Sequence, residues 1–208
     1  GTLGDVYATN DFKRDSDGNI LVDSNGKVNV AEYSDRDQYV KLGTVLPKYN
    51  LGWRNDFNIG NVGFGAMFAG RIGGVAISMT QAALDHYGVS QESAEARNAG
   101  GINLNGYKIP AQGYFEERGK GRVAQYYTYS ATNFRLQEAY ISYHLPRKLV
   151  NDKVDITLSV VGRNLAMLYS KAPFDPEAVS STGNYAQGLD YFMLPSLRSY
   201  GFSIKANF

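Results

Sequence analysis

Two histidines, His86 and His144, are the first candidates for acid–base or metal chemistry. They stand far apart, and neither belongs to an HxxxH or HxxE pattern that would set two ligands on one helix face. There is no cysteine, which excludes disulfides and thiolate metal centres. No GxSxG elbow, P-loop or GxGxxG followed by an acid is present. With 20 acidic residues, carboxylate pairs arise by chance and mark no acid–base couple. The sequence therefore predicts no enzyme.

Asp15-Ser16-Asp17-Gly18-Asn19 begins like a calcium loop. Asn19 fills the fifth position, but the twelfth, which needs a bidentate Glu, is Gly26. No cofactor is expected, and Asp15, Asp17 and Asn19 are the only candidate calcium ligands. A second turn, Asp23-Ser24-Asn25-Gly26, follows. Two such turns flanking Ile20-Leu21-Val22 predict a small hairpin in a loop. A ligand-binding reading attaches to the stretch from Tyr169 to Pro195. Phe174, Asp175, Tyr185, Tyr191 and Phe192 combine flat rings with a carboxylate, which suits a sugar or peptide. The competing reading, a loop packed on itself, is favoured.

Such side chains need elements to hold them. The chain has 208 residues, with 16 Tyr, 10 Phe, 23 Gly and a single Trp, a composition that suits pleated sheet. The formal charge is +1 and the basic residues are scattered, so no nucleic-acid partner is expected. No run approaches the ~18 apolar residues of a membrane helix. A mean hydropathy of -0.33 is nevertheless compatible with membrane strands of about 10 residues, apolar at every second position.

That alternation is clearest at the end, where Tyr200, Phe202, Ile204, Ala206 and Phe208 oppose Ser199, Gly201, Ser203, Lys205 and Asn207. It recurs over Val154–Leu165, with Val161 an exception, and over Asn133–Leu145, where Arg135 and Leu136 disturb it. Val62–Arg71 and Tyr49–Asn58 follow the same rule, apart from Asn55 on the apolar face. A sixth strand is read near Gly4–Lys13. The strands collect Arg54, Asp56, Arg71, Glu138, Asp155, Arg163 and Lys205 on one face. Tyr49, Trp53, Tyr143 and Tyr200 fall on the other.

Short links, Gly60-Asn61 and Pro146–Lys153, alternate with long ones over Asp15–Lys48, Gly74–Thr132 and Ala166–Pro195. Long connections confined to one side are the asymmetry of outer-membrane barrels. A soluble β-sandwich would alternate apolar and polar residues too, but with short loops at both ends. The segment Met79–Tyr87 has helical composition and predicts a short helix inside one long loop.

Five stretches in order resemble the C-terminal half of SusC/RagA-type TonB-dependent outer-membrane transporters of Bacteroidetes. They are PKYNLGWRNDF (Pro47–Phe57), GRIGG with SMTQAALDHYGVS (Gly70–Ser90), ATNFRLQEAYISYHLP (Ala131–Pro146), VGRNLAMLYSKAPFDPE (Val161–Glu177) and STGNYAQGLDYFMLPSLRSYGFSIKANF (Ser181–Phe208).

The resemblance implies an all-β fold, an antiparallel transmembrane β-barrel segment with long extracellular loops. Residues 1–208 would form about the last six strands of a barrel of roughly 22. The plug domain and N-terminal strands of the family are not among these residues; Gly1-Thr2-Leu3-Gly4 does not open a leader, so the sequence reads either as one whose leader was removed or as the tail of a longer protein. On this reading Arg54, Asp56, Arg71, Glu138, Arg163 and Lys205 face the lumen, Tyr49, Trp53, Tyr143 and Tyr200 meet lipid, and Phe208 is part of the barrel-assembly signal. The implied partners are the remaining barrel and plug, a SusD-like lipoprotein, the TonB complex and outer-membrane lipid. The implied function is nutrient uptake, of glycans or peptides. The alternative is a secreted or surface β-rich carbohydrate-binding module.

Overall fold

The computed structural model describes residues 4–146, 154–178, 180 and 187–207. In chain order the strands are β1 (Asp5–Ala8), β2 (Asn10–Phe12), β3 (Val30–Glu32), β4 (Val40–Thr44), β5 (Tyr49–Ile59), β6 (Val62–Ile72), β7 (Val75–Ser78), β8 (Ile102–Leu104), β9 (Tyr107–Ile109), β10 (Thr128–Ser130), β11 (Asn133–His144), β12 (Asp155–Ser170), β13 (Leu189–Asp190) and β14 (Ser199–Asn207). The helices are α1 (Met79–His86), α2 (Gln91–Asn98) and α3 (Ala111–Lys120). These elements fall into two compact units, each made of three chain segments.

Unit 2 comprises Pro47–Gly74, Ala131–Ala178 and Leu194–Phe208. It is a single antiparallel sheet in the order β14-β12-β11-β6-β5. The strands form where aromatic and β-branched residues occupy alternate positions, as Phe57 and Ile59 do in β5. Ile59 pairs with Val62 across the tight turn Gly60-Asn61, and Gly60 adopts φ 58°, the left-handed backbone that glycine takes at the first central position of a II′ hairpin.

The registers carry the apolar parity from strand to strand. One row runs Phe57, Phe64, Ile141, Val160, Phe202; the next runs Ile59, Val62, Tyr143, Leu158, Ile204. Phe57 and Phe64 stack at 5.3 Å, as do Trp53, Phe68 and Phe134 at 5.6 and 5.8 Å. The disturbance at Arg135 and Leu136 is a register shift between Leu136 and Glu138 against both neighbours. Gln137 is the extra residue of a bulge, so Arg135 and Glu138 return to one face. Asn164, at φ 51°, lies in the matching irregularity of β12.

All the long connections leave the same end of this sheet, where Tyr49 pairs with Ile72 and Asn133 pairs with both Arg71 and Ser170. The one-sided arrangement expected from the sequence is present. Two expectations are corrected. The sixth strand near Gly4–Lys13 is not in the sheet: it divides into β1 and β2, which pair with β4 and β3. The stretch 166–170 is not loop but the end of β12.

Unit 1 comprises Gly1–Leu46, Val75–Ser130 and Val179–Met193. The long connections are therefore folded rather than structureless. Around Asp15 and Asp23 the chain makes a three-armed junction. The arms are β2 with β3, the bridge Arg14–Ile20, and the bridge Val22–Val28. At the hub, Lys13 N donates to Asn29 O, Leu21 N to Lys13 O, and Asn29 N to Leu21 O, at 2.8–3.0 Å. The arms share an eight-residue repeat, DSDGNILV then DSNGKVNV. Its spacing puts Phe12, Ile20 and Val28 in equivalent places, and all three are buried with Ile109 in one core. Each such side chain removed from water contributes about 1.5–3 kcal/mol.

The predicted helix over Met79–Tyr87 is α1, capped by Ser78, whose side chain accepts from Gln81 N. Ser90 caps α2 in the same way, accepting from Ser93 N. Pro110 precedes α3, with Arg118 and Lys120 in its last turn, where they complement the helix dipole.

Candidate functional site

The polar face of the unit 2 sheet is built from consecutive registers. Arg54 pairs with Met67, Met67 with Glu138, and Glu138 with Arg163, so four strands bring three charges into one row. Arg163 Nε donates to Glu138 Oε2 at 3.0 Å, and Arg54 Nη1 lies 3.9 Å from Glu138 Oε1. One row nearer the turn, Asp56 accepts from Arg54 Nε at 2.8 Å and from Tyr140 Oη at 2.7 Å. The Arg54 guanidinium also sits 5.8 Å from the Tyr140 ring centre. A glutamate shared by two arginines, with an aspartate held by one of them, makes a charge-balanced surface suited to a hydrated wall.

Arg54, Asp56, Glu138 and Arg163 are thus brought together. Arg71 lies beside them in the sheet at the loop end, paired with Asn133. Lys205 and Asp155 lie toward the opposite end, where Thr157 pairs with Lys205 and Asp155 with Asn207.

The opposite face is apolar and, among the described residues, uncovered within the unit. Phe202, Ile204 and Trp53 are 65%, 63% and 61% exposed. Isolated exposed apolar residues are ordinary; a continuous in-register field across five strands is not.

The residues considered for ligand contact divide between the units. Phe174 and Asp175 lie in unit 2, where the Asp175 carboxylate is occupied by the fold. It receives Arg135 Nη2 at 2.9 Å, Glu177 N at 3.1 Å and Ser196 N at 3.3 Å. Burial pushes this carboxyl up, but the bonds from Ser196, Glu177 and Arg135 outweigh it and hold the group below 3.8. Arg135 also lies 3.3 Å from Glu177, and Asn133 Nδ2 donates to Glu177 Oε1 at 3.3 Å.

Tyr191 and Phe192 lie in unit 1, exposed, their rings in an edge contact at 5.1 Å. Phe192 has φ 52° and donates its N–H to Thr80 Oγ1 at 2.7 Å. The preceding Asp190 is buried, accepting from Ser78 Oγ at 2.6 Å. Tyr185 and Phe208 lie outside the described residues.

At the calcium-like segment, Asp15 Oδ1 accepts from the amides of Asp17 and Asn19, and Oδ2 accepts from Asn19 Nδ2. These bonds, that from Asn19 foremost, hold the Asp15 carboxyl below its ordinary value. Asp23 repeats the pattern with Asn25 and Lys27. The carboxylates close their own turns.

Sequence reasoning did not find the most buried charges. In unit 1, Asp85 Oδ2 accepts from Arg118 Nε at 3.1 Å, Arg118 Nη2 at 2.6 Å and Tyr127 Oη at 2.7 Å. Arg118 also reaches Glu92 at 2.8 Å and lies among the rings of Phe115, Tyr114, Tyr126 and Tyr127. Burial disfavours the charged guanidinium, but Glu92 and Asp85 raise its pKa overall. Burial first, and Asp85 second, push the Tyr127 phenol up. Partners 33 and 42 residues apart leave no local pattern. The available signal was a basic residue amid Tyr114, Phe115, Tyr126 and Tyr127, where a lone charge demands a counter-ion.

The architecture defines a strand-dominated, all-β-like class with a wide sheet of long strands. Comparison with known proteins narrows it. Over its full length the chain is 24% identical to a stretch of TonB-dependent receptor P3 from Formosa agariphila, and covers 21% of that protein. Its fold matches part of the RagAB peptide importer in the open-open state, with TM-score 0.63, 16% identity, and coverage of 98% of this chain and 22% of that one. The closed-closed state of the same importer gives TM-score 0.54 at 15% identity, covering 97% and 22%. No protein-family model matches the chain. The chain spans about a fifth of the length of these relatives. The resemblance to SusC/RagA-type TonB-dependent receptors read from the sequence is supported by both the curated relative and the structural neighbours.

Proposed function

We propose that this chain is a piece of the transmembrane wall of an outer-membrane, TonB-dependent importer. The observation that carries the reading is the two-faced sheet: an apolar field exposed on one side, paired charges on the other. Its dimensions fit. Eleven residues, as in β5, at about 3.3 Å each and tilted by about 45°, span roughly 26 Å, close to the ~25 Å apolar band of outer-membrane barrels. Its edges agree. Among the described residues β5 and β14 each have one neighbour, and in hydrocarbon an unpaired strand edge costs several kcal/mol per open polar group. Further strands of a larger barrel are the natural partners.

On this reading the apolar rows meet lipid, Arg54, Asp56, Glu138 and Arg163 line a watery interior, and the long connections are extracellular. The cargo is glycan or peptide, taken up with a SusD-like surface lipoprotein and powered through TonB. The similarity to a TonB-dependent receptor and to the RagAB peptide importer supports this assignment.

Trp53, the single tryptophan, lies on the apolar face and supplies the test. With the chain reconstituted in vesicles, lipids brominated on their acyl chains should quench its fluorescence, and aqueous iodide should not. Quenching by iodide alone would remove the lipid-facing assignment and favour a surface binding module.

A further inference from the structure

The polar face of the unit 2 sheet is not uniformly open. At its middle, the side chains of Arg54 and Arg163 are 53% and 66% exposed. Toward the loop end, Arg135 and Asn133 stand on the same face, opposite Ala69 and Arg71 of β6, and both are buried. The chain leaving β12 sits on them. Residues 171–177 turn back over this end of the sheet, with Ala172 and Pro176 buried and Lys171 and Pro173 exposed. The wall described above assigns this segment no role.

The segment is attached differently from the strands beneath it. Arg135 Nη2 donates to Asp175 Oδ1 at 2.9 Å and lies 3.3 Å from Glu177. Asn133 Nδ2 donates to Glu177 Oε1 at 3.3 Å, and Ser170 Oγ donates to Ala172 O at 3.2 Å. Each is a bond through a side chain, and water replaces such bonds when the groups part. The strand below, β11, is instead paired through its backbone to β6 and to β12 along nearly its whole length. The side chains that the segment buries against the sheet, Ala172 and Pro176, are small, so little apolar area holds it down.

Asp175 concentrates the attachment. Its other oxygen accepts from Ser196 N at 3.3 Å, so the approach to β14 is tied to the same carboxylate. Losing that one group frees the segment from Arg135 and from Ser196 together, while the ladder stays intact.

We propose that residues 171–177 are an inward-folded flap on the lumen wall, latched by Arg135 on Asp175, which opens locally while the sheet stays folded and so gates passage along this wall. The gating role rests on the transport reading, which makes this face the aqueous one; the local opening does not.

The chain has no cysteine, so single-cysteine variants report cleanly. Ala172→Cys places a thiol under the flap, and Lys171→Cys places one on its exposed side. With the whole chain in vesicles, maleimide should label Ala172→Cys slowly, with a urea dependence much weaker than that of Trp53 emission, which follows unfolding of the sheet. Adding Asp175→Ala should speed that labelling about a hundredfold and leave Lys171→Cys unchanged. A bimane attached to Lys171→Cys should be quenched by aqueous iodide and not by acyl-brominated lipid. Labelling of Ala172→Cys with the same urea slope as Trp53 emission, or a rate that Asp175→Ala does not change, would overturn the flap. Quenching of the bimane by brominated lipid would overturn its placement on the aqueous face. If Asp175→Ala loses the native Trp53 emission, the urea slope with Asp175 intact decides. Iodide quenching of Trp53 would end the transport reading and leave the labelling result standing, so the two fail separately.

Discussion

Arg135 and Asp175, forty residues apart in sequence, form a buried ion pair with 2.9 Å between Nη2 and Oδ1. The pair ties the chain after β12 to β11, and Ser196 N, bound to the same carboxylate, brings in the approach to β14. One carboxylate thus fixes where a long connection leaves the sheet and where it returns.

Removing one partner strands a buried charge. Asp175→Ala should destabilise unit 2 by about 3–5 kcal/mol, read as a lower urea midpoint. The paired replacement Arg135→Met with Asp175→Leu should recover much of that loss, since the only carboxylate left without its arginine is the exposed Glu177. If the double variant unfolds as early as the single one, the pair is not the source of the effect.

Acid should release the same latch. The Asp175 carboxyl titrates below its ordinary value of 3.8 in the folded chain, so its contribution is complete above that value. It is lost as pH falls through the lower folded pKa. Protease cleavage within 171–178 should accelerate only below about pH 4, and Asp175→Asn should abolish that dependence.

Strand parity in the membrane reading is testable at adjacent positions. Phe202→Arg places a charge in the middle apolar row and should cost about 2–4 kcal/mol, seen as loss of heat-resistant gel mobility. Ser203→Arg, one residue later on the polar face, should be tolerated. Equal effects would remove the distinction between the faces.

Gly65 lies beneath the Asp56–Tyr140 hydrogen bond, and a Cβ there would collide with Asp56 Oδ1 and Tyr140 Cε1. Gly65→Ala should therefore destabilise by about 1–3 kcal/mol in urea. Gly52→Ala, with open space around the position, should be close to neutral.

In unit 1, Tyr127→Phe removes one of the three bonds on Asp85 and should lower stability by about 1–3 kcal/mol. Urea titration followed by near-UV circular dichroism of the tyrosines reads it.

The sheet was legible because each strand writes its two faces in alternate residues. Even its apparent errors had local causes: Arg135 and Leu136 break the alternation because Gln137 is an inserted residue, and parity resumes beyond it. Asn55 did not mislead, since its row-mates Ala66 and Ala139 keep that row apolar. Unit 1 was largely illegible for the opposite reason. Its strands are three to five residues long apart from the two-residue β13, too short for a period to show, and its defining contacts join distant segments, as Asp85 joins Arg118. Only α1, with its serine cap and helix-forming run, could be read locally. The loop candidates Asp175 and Phe192 were found as residue types, but their roles depended on Arg135 and Thr80, which no spacing links to them.

The three-armed junction around Lys13, Leu21 and Asn29 has a consequence for how this surface can vary. The hub closes on itself through three backbone bonds, and the Asp23 arm is further held on α3 by Lys27, which pairs with Glu116 and Glu117. Residues added in pairs at the Asp15 tip, where Gly18 has open space around it, would extend that finger outward while Phe12, Ile20 and Val28 stayed seated. Reach and local chemistry at this end of the chain can therefore diverge by insertion, with no redesign of the core below.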